Sequence, residues 1–422
     1  MPQTRDALLE QNPWWKGDFE LEYREREIYS EVKKFMRLPQ IVALTGLRRA
    51  GKTTLMLKAA KDAMADGLDA RNVLYFSFDE FKEAEIRELL REYEAVVDRD
   101  LRAGHFLVLL DEIQKLEGWD DQLKALYDAR RRNVKFVISG SESLFIQEKS
   151  AETLAGRLFE FRVDPLSFRE YLAFRDVDYR PIPVYERELA KLFDDFVATQ
   201  GFPELVSIRD KSVVRKYLRE SIVEKVVIRD LPRLLGIRDI SAIESLLNIL
   251  MEEPGQLIEI SELSGALGIS RRTLSTYLAY LERSFLVRKL YNYSRSRRKV
   301  ERKLRKYYPV IVSATLTFST EDLARSRIFE WAVVNQLRAE FFWRDPYRHE
   351  VDIVLGERTP IPVEVKYGGL DTHGLRFFMS KFNVRKGYIV TPNQEEKRKL
   401  NGKDLFIVPV YRALLEPRTF VS

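Results

Sequence analysis

Residues 46–54 read GLRRAGKTT, directly after the apolar run IVALT (41–45) and directly before LMLKAAKDAM (55–64). The stretch fits G-x-x-x-x-G-K-[ST], with Gly46, Gly51, Lys52 and Thr53 at the fixed positions. Residues without side-chain bulk let backbone N–H groups curl around a polyphosphate, and the N-terminus of the following helix adds positive potential. A strand before the loop and a helix after it are the context this motif requires. The reading is therefore a nucleotide cradle of Gly46, Arg49, Ala50, Gly51, Lys52, Thr53 and Thr54. Lys52 would reach the β and γ phosphates of ATP, and the Thr53 hydroxyl would hold Mg²⁺. Arg48 and Arg49 fill variable positions of the loop, where side chains face outward toward a neighbouring element.

Working outward, FLVLLDE (106–112) carries Asp111 and Glu112 to the end of an apolar strand, where ligands bind in open α/β sheets. Asp111 is expected to orient the metal and Glu112 to polarise the attacking water. The next apolar run, VKFVISG (134–140), ends near Ser139 and Ser141. Ser139 would sense the γ phosphate; the alternative is a simple helix cap, with Ser141 preceding ESLFIQ. IVALTG, NVLYFSFDE, FLVLLDE, VKFVISGSE and LFEFRVDPLS alternate with amphipathic stretches, which indicates a parallel sheet covered on both faces. The expected order is a helical segment 1–40, a P-loop core 41–175, a helical lid 176–235, a winged helix 236–310 and a small α/β domain 311–422.

Composition narrows the chemistry. The 422 residues include no cysteine and three scattered histidines, so thiolate catalysis and zinc sites are excluded and any metal is held by oxygen. No apolar run approaches the roughly 20 residues of a membrane span, and MPQTRDALLEQNPWW has no apolar signal core. A cytoplasmic protein that contacts no membrane is expected. Trp14 and Trp15 read as a buried anchor, because large aromatics pack.

The net charge of +6 is unevenly spread: Arg283 to Lys306 holds eleven Lys and Arg against Glu301 alone, which leaves the rest of the chain net negative by four. Such focusing suits binding of a phosphate backbone by counterion release. Just upstream, ISELSGALGISRRTLSTYLAYLERSFLV has the grammar of a helix-turn-helix. Ser270 caps a second helix whose leading Arg271, Arg272 and Thr273 would face a major groove, while Leu274, Leu278 and Leu281 turn toward a core. Arg295, Arg297, Arg298 and Lys299 would extend this surface as a wing. Winged helices also serve as protein-binding spacers, and that alternative stays open.

Near the C-terminus, HEVDIVLGERTPIPVEVKY places Asp352 on one strand and Glu364 and Lys366 on the next. Alternation puts Glu364 and Lys366 on one face, and a hairpin return brings Asp352 beside them. With Glu330 from a preceding helix, the carboxylates would bind Mg²⁺ or Mn²⁺, and the lysine would serve phosphodiester cleavage. The ordered set resembles the restriction-endonuclease-like PD-(D/E)xK core, in which active nucleases and inactive DNA-binding or scaffolding relics both occur.

The order GLRRAGKTT, LLDEIQ, ISGSE, LAGRLFEF with PLSFREY, then GFP, resembles the archaeal ATPases at the border of AAA+ and STAND proteins, over most of the chain. That resemblance implies a P-loop ATPase that forms oligomers, hexameric rings among them. It assigns Gly201 and Pro203 to a lid element against the adenine. An arginine at the Arg157 junction reaches a neighbouring subunit's nucleotide in ring-forming relatives; an ordinary surface arginine is the alternative. Arg229 is the candidate for a second sensor. The leading expectation is an ATP-driven protein acting on branched or single-stranded DNA. The second is a nucleotide-dependent signalling or defence switch that binds protein partners.

Overall fold

The computed structural model describes residues 2–17, 19–81, 85–141, 152–224, 240–296, 298, 300 and 304–420. They divide into two compact units between Pro165 and Leu166.

In the first unit, β1 (Ile41–Thr45), β2 (Val73–Ser77), β3 (Phe106–Asp111), β4 (Val134–Gly140) and β5 (Leu158–Arg162) make one sheet. All neighbours are parallel and the order is β2-β3-β4-β1-β5. Every residue of β1 and β3 is buried, because helices such as Lys52–Ala65 and Trp119–Arg130 cover the sheet; this is why these strands read as unbroken apolar runs. The N-terminal segment closes the β2 edge. Asn12 accepts from Tyr75 N at 2.7 Å and donates to Tyr75 O at 2.9 Å, and Gln11 accepts from Ser77 N at 2.8 Å. Edge groups that would otherwise template pairing with another chain are thereby satisfied. Both indoles, Trp14 and Trp15, donate to the Val73 carbonyl, at 3.0 and 2.9 Å. The tryptophan pair is an anchor.

The second unit opens with the helix Phe168–Phe174, started by a reciprocal capping box between Ser167 and Glu170. The string PLSFREY is thus a helix start. Further on, a nine-stranded mixed sheet forms from β6 (Gln256–Ile258), β7 (Val287–Asn292), β8 (Arg305–Pro309), β9 (Phe341–Arg344), β10 (Glu350–Leu355), β11 (Ile361–Val365), β12 (Lys386–Thr391), β13 (Glu396–Leu400) and β14 (Lys403–Pro409). Its order is β13-β14-β12-β11-β10-β9-β7-β8-β6. The helices Ile260–Ala266 and Arg271–Arg283 lie between β6 and β7, and the Ser270 hydroxyl caps the second by accepting from Thr273 N at 3.0 Å.

β7 pairs with β9 in parallel, Tyr291 opposite Phe341. The expected division at 310/311 therefore lies within one continuous sheet, and Leu290, Tyr308, Phe342, Ile353 and Val363 share a single core. The bridging strand β9 comes from FFWR, a run too short to stand out in the sequence. Among the described residues no helix is long and apolar enough to cross a membrane.

Candidate functional site

Two clusters of polar side chains are built, one in each unit. The first lies at the C-terminal edge of the parallel sheet. Gly46 follows β1 with φ 142°, and a Cβ there would stand 2.2 Å from the Val163 carbonyl oxygen. Only glycine fits. Gly51, with φ 98°, caps the helix that begins at Lys52. The Lys52 ammonium is buried and donates to the carbonyls of Gly46 and Leu47 at 2.9 and 3.0 Å. Thr53 and Thr54 are exposed on the first turn, Arg49 is exposed with φ 61°, and Ala50 is buried.

Asp111 is the hub. Its carboxylate accepts from Thr53 Oγ1 at 2.7 Å, from the Tyr75 hydroxyl at 2.8 Å, from the Ser139 hydroxyl and from Glu112 N at 3.1 Å. Burial, and next the charge of Asp111, raise the Tyr75 phenol well above its usual range, so it stays a donor. Glu112 sits in the left-handed region at φ 52° and accepts from Gln114 Nε2 at 2.8 Å. The same amide reaches Ser141 Oγ at 3.1 Å. Ser139 therefore faces the acidic pair, while the stretch 142–150 that Ser141 would cap lies outside the described residues. A hydroxyl and a carboxylate already in contact are the hard oxygen donors that Mg²⁺ takes, so Thr53 and Asp111 fit that ion.

Arg26, which the sequence did not single out, underpins the loop. It is buried and donates to Ala50 O at 2.7 Å and Asp164 O at 2.8 Å, which fixes the loop peptide before Gly51. Arg157 lies elsewhere. Its carbonyl accepts from Ile41 N, at the opposite end of β1 from Gly46, about 16 Å away along a five-residue strand. Its guanidinium pairs with Asp128 at 3.0 Å.

The second cluster lies on β8, β10 and β11 and the helix Asp322–Gln336. Ile353 opposite Val363 sets the hairpin register that brings Asp352 beside Glu364, and Val365 N donates to Asp352 Oδ2 at 2.8 Å. Lys366 pairs with Glu364 at 2.8 Å. Asp352 is pushed up to about 6, chiefly by burial and then by Glu330. Glu364 is raised well above the carboxylate range by burial and by Asp352. Its Oε2 is buried with no hydrogen-bond partner, at 6% exposure of the residue. Two adjacent carboxylates, one with an unpartnered oxygen, are hard oxygen donors, so Asp352 and Glu364 fit one divalent ion.

The expected third ligand is corrected. Among the described residues no three acidic or histidine side chains are grouped to hold a metal. Glu330 is instead taken by the Tyr308 hydroxyl at 2.5 Å and faces Lys306 at 3.7 Å. Lys306, on the basic stretch, was missed as part of this cluster.

Of the DNA-facing set, Arg271 and Arg272 are exposed and Thr273 is half-buried at the start of their helix. Arg295 donates to Phe382 O at 2.8 Å, and Arg298 is exposed. Arg297, Lys299 and Arg229 lie outside the described residues. Tyr293, Tyr307 and Tyr308 are buried and so pack instead of offering faces to bases. Gly201 and Pro203 belong to the second unit; the Gly201 carbonyl accepts from Leu166 N at 2.7 Å, and Pro203 opens a short 3₁₀ turn.

Residues 38–172 match the model of an AAA domain, and residues 190–312 match a domain of unknown function (DUF8612). An uncharacterized protein of Haemophilus influenzae is 27% identical over 276 residues, covering 64% of this chain and 66% of that protein. The uncharacterized protein MJ1544 of Methanocaldococcus jannaschii is 26% identical over 346 residues, covering 78% of this chain and 75% of its own length. The chain thus spans about two thirds to three quarters of these relatives. The solved structure of a point variant of Thermotoga maritima RuvB aligns with 66% of this chain and 91% of its own, at 16% identity and a TM-score of 0.31. The parallel sheet with a glycine-lysine loop after β1, together with the match over 38–172, makes the first unit a P-loop ATPase fold similar to the AAA domain.

Proposed function

We propose that this protein hydrolyses ATP and uses the turnover to drive or gate the handling of DNA by its second unit. The observation that carries the reading is the convergence of Thr53, Tyr75 and Ser139 on Asp111, beside a glycine loop with a buried lysine. Lys52 is the cation that meets the β and γ phosphates. Thr53 and Asp111 hold Mg²⁺, which when bound offsets the charge of the phosphates. Glu112 orients and polarises the attacking water, and Gln114 steadies its carboxylate. Arg157, whose side chain is partly exposed, serves a neighbouring copy in a ring, and its pairing with Asp128 keeps the guanidinium extended until then.

In the second unit, the order of helices and strands from 240 to 309 supports a winged helix with the exposed Arg271 and Arg272 leading its second helix. Arg295 and Arg298 add phosphate contacts, with branched or single-stranded DNA as the partner. Asp352, Glu364 and Lys366 form a nuclease-like centre that takes Mg²⁺ or Mn²⁺. The test is ATP turnover by the full chain with and without single-stranded, duplex and four-way DNA. Stimulation by one of them is expected. Absence of turnover refutes the first part of the proposal, and turnover without DNA binding at about 50 mM salt refutes the second.

A switch that binds protein partners is the second reading. It is favoured by how much of the basic stretch is spent inside the fold: Lys289 pairs with Glu282 at 2.6 Å, Lys306 is buried, and three of the tyrosines are in the core. DNA affinity that falls steeply between about 50 and 200 mM salt would count against that reading.

A further inference from the structure

Tyr293, Tyr307 and Tyr308 are buried, so the ring faces open to solvent lie elsewhere. Among the described phenylalanine, tyrosine and tryptophan residues, only Phe159, Tyr347 and Phe377 are exposed, at 37%, 83% and 39%. Phe159 stands edge-on to Phe35 in the first unit. Tyr347 and Phe377 meet at one place in the second, where two of the three histidines of the chain also lie. Single exposed rings are ordinary on a surface; a contiguous group of them marks an interaction site.

The group is built from two elements. Tyr347 and His349 stand on the turn between β9 and β10, and His373 and Phe377 open the helix His373–Phe382. The His349 ring stacks on Phe377, with centres 3.7 Å apart and planes within 17°. His373 lies 4.9 Å from His349 and 5.0 Å from Phe377, and Tyr347 lies 6.3 Å from His349. Glycine permits this meeting: a Cβ on Gly374 would stand 1.7 Å from the Glu350 carbonyl oxygen, so the helix start approaches the strand start at backbone distance. The Asp345 carboxylate holds the turn. It accepts from Tyr347 N at 2.9 Å and His349 N at 3.0 Å, and lies 2.8 Å from His349 Nδ1. The rings are therefore fixed in advance, which lowers the entropy cost of binding.

Cations flank them. Arg376 lies over the Phe377 ring at 5.5 Å with Nη2 3.2 Å from His373 Nδ1, and Arg348 is exposed on the turn. The neighbouring acids are engaged: Asp345 in the turn, Asp371 by His373 N at 2.9 Å, and Glu350 by Arg344 and Lys306. Open ring faces beside guanidinium groups suit bases and phosphates together, and only unpaired bases have faces to offer.

We propose that Tyr347, His349, His373 and Phe377 form a stacking platform for the unpaired bases of a DNA single strand, whose phosphates Arg348 and Arg376 meet. This rests on the reading that the second unit handles DNA, and it narrows that partner to stretches without a complementary strand.

The test is binding of the full chain to fluorescein-labelled oligothymidylate and to a duplex of equal length, read by anisotropy at about 50 mM salt. Tyr347→Ala removes a ring that is mostly in solvent, so the core is left intact. It should weaken single-strand binding at least about fivefold, the scale of losing one stacked base, and leave duplex binding unchanged. Tyr347→Phe, which keeps the ring, should match the wild type. Irradiation of the complex with a strand carrying iodouracil should place crosslinks on these rings. Unchanged single-strand affinity in Tyr347→Ala, an equal loss on duplex, or crosslinks that avoid all four rings overturns the platform and leaves DNA handling by the second unit standing. A wild-type chain that binds duplex but no single strand does the same. If the wild type binds neither DNA, the reading beneath the proposal fails and the platform with it.

Discussion

Replacing Arg26 by Met removes the support beneath the phosphate loop while keeping the length and apolar bulk of the side chain. The guanidinium makes two hydrogen bonds to backbone carbonyls, 2.7 Å to Ala50 and 2.8 Å to Asp164, and each bond from a charged donor contributes about 1.5–3 kcal/mol. Against the removal of both stands the cost of keeping a cation buried at 5% exposure, which Met does not incur. The net expectation is a loss of about 2–4 kcal/mol from the first unit, with both carbonyls left without that donor. Nucleotide binding should suffer separately. The Ala50 peptide is the last before Gly51, and once released it samples orientations that turn its neighbours' N–H groups from the phosphates. A tenfold loss of affinity, about 1.4 kcal/mol, is the expected scale. Arg26→Lys keeps one charge and can serve one carbonyl well, so it should fall between. The assays are urea unfolding followed by tryptophan fluorescence in a chain with Trp331 and Trp343 replaced by Phe, so that Trp14, Trp15 and Trp119 of the first unit report, and titration with Mg²⁺ and a non-hydrolysable ATP analogue. If Arg26→Met unfolds at the wild-type midpoint and binds the analogue equally well, the N-terminal segment is only a cover for the sheet.

Tyr75→Phe deletes one donor to the Asp111 carboxylate and should cost about 1.5–3 kcal/mol of stability, as a bond to a charged acceptor does; an unchanged unfolding midpoint would contradict this. Asp62 is opposed by burial, but hydrogen bonds from Lys58, Tyr29 and Lys33 hold its carboxyl below 3.8. A depressed folded value means that its contribution is present above the unfolded value and is lost as the pH falls from about 4 through the folded one, so Asp62→Asn should flatten that part of the acid limb in a pH series of thermal melts. Charge reversal of Arg271 and Arg272 should weaken DNA binding and lower its salt slope by about one unit for each phosphate no longer neutralised, with basal ATP turnover unchanged; a fall in both would refute the separation of the two units' roles.

Where a local pattern suffices, the sequence was readable. IVAL and FLVLL are apolar at every position because both faces of a parallel sheet are covered, and the glycine spacing at 46 and 51 is set by positive backbone φ angles that side chains rarely adopt. The hairpin that brings Asp352 to Glu364 also follows from alternation alone. Tyr75 and Arg26 were illegible for a different reason: a tyrosine inside VLYFS looks like core, and an arginine in YREREI looks like surface. Their partners lie 36 and 24 residues away in the chain. Lys306 was illegible because β8 is covered on both faces: it shares one with Tyr308, while Arg305 and Tyr307 share the other, and both tyrosines are buried. Counting charge along the chain hides this, because the count treats every cation in 283–306 as available to DNA. Lys289 and Lys306 are committed to Glu282 and Glu350, which leaves at most nine of the eleven. The contribution of this stretch to the salt dependence of DNA binding should therefore be no steeper than a slope of about −8. A steeper one would require those two ion pairs to open when DNA binds.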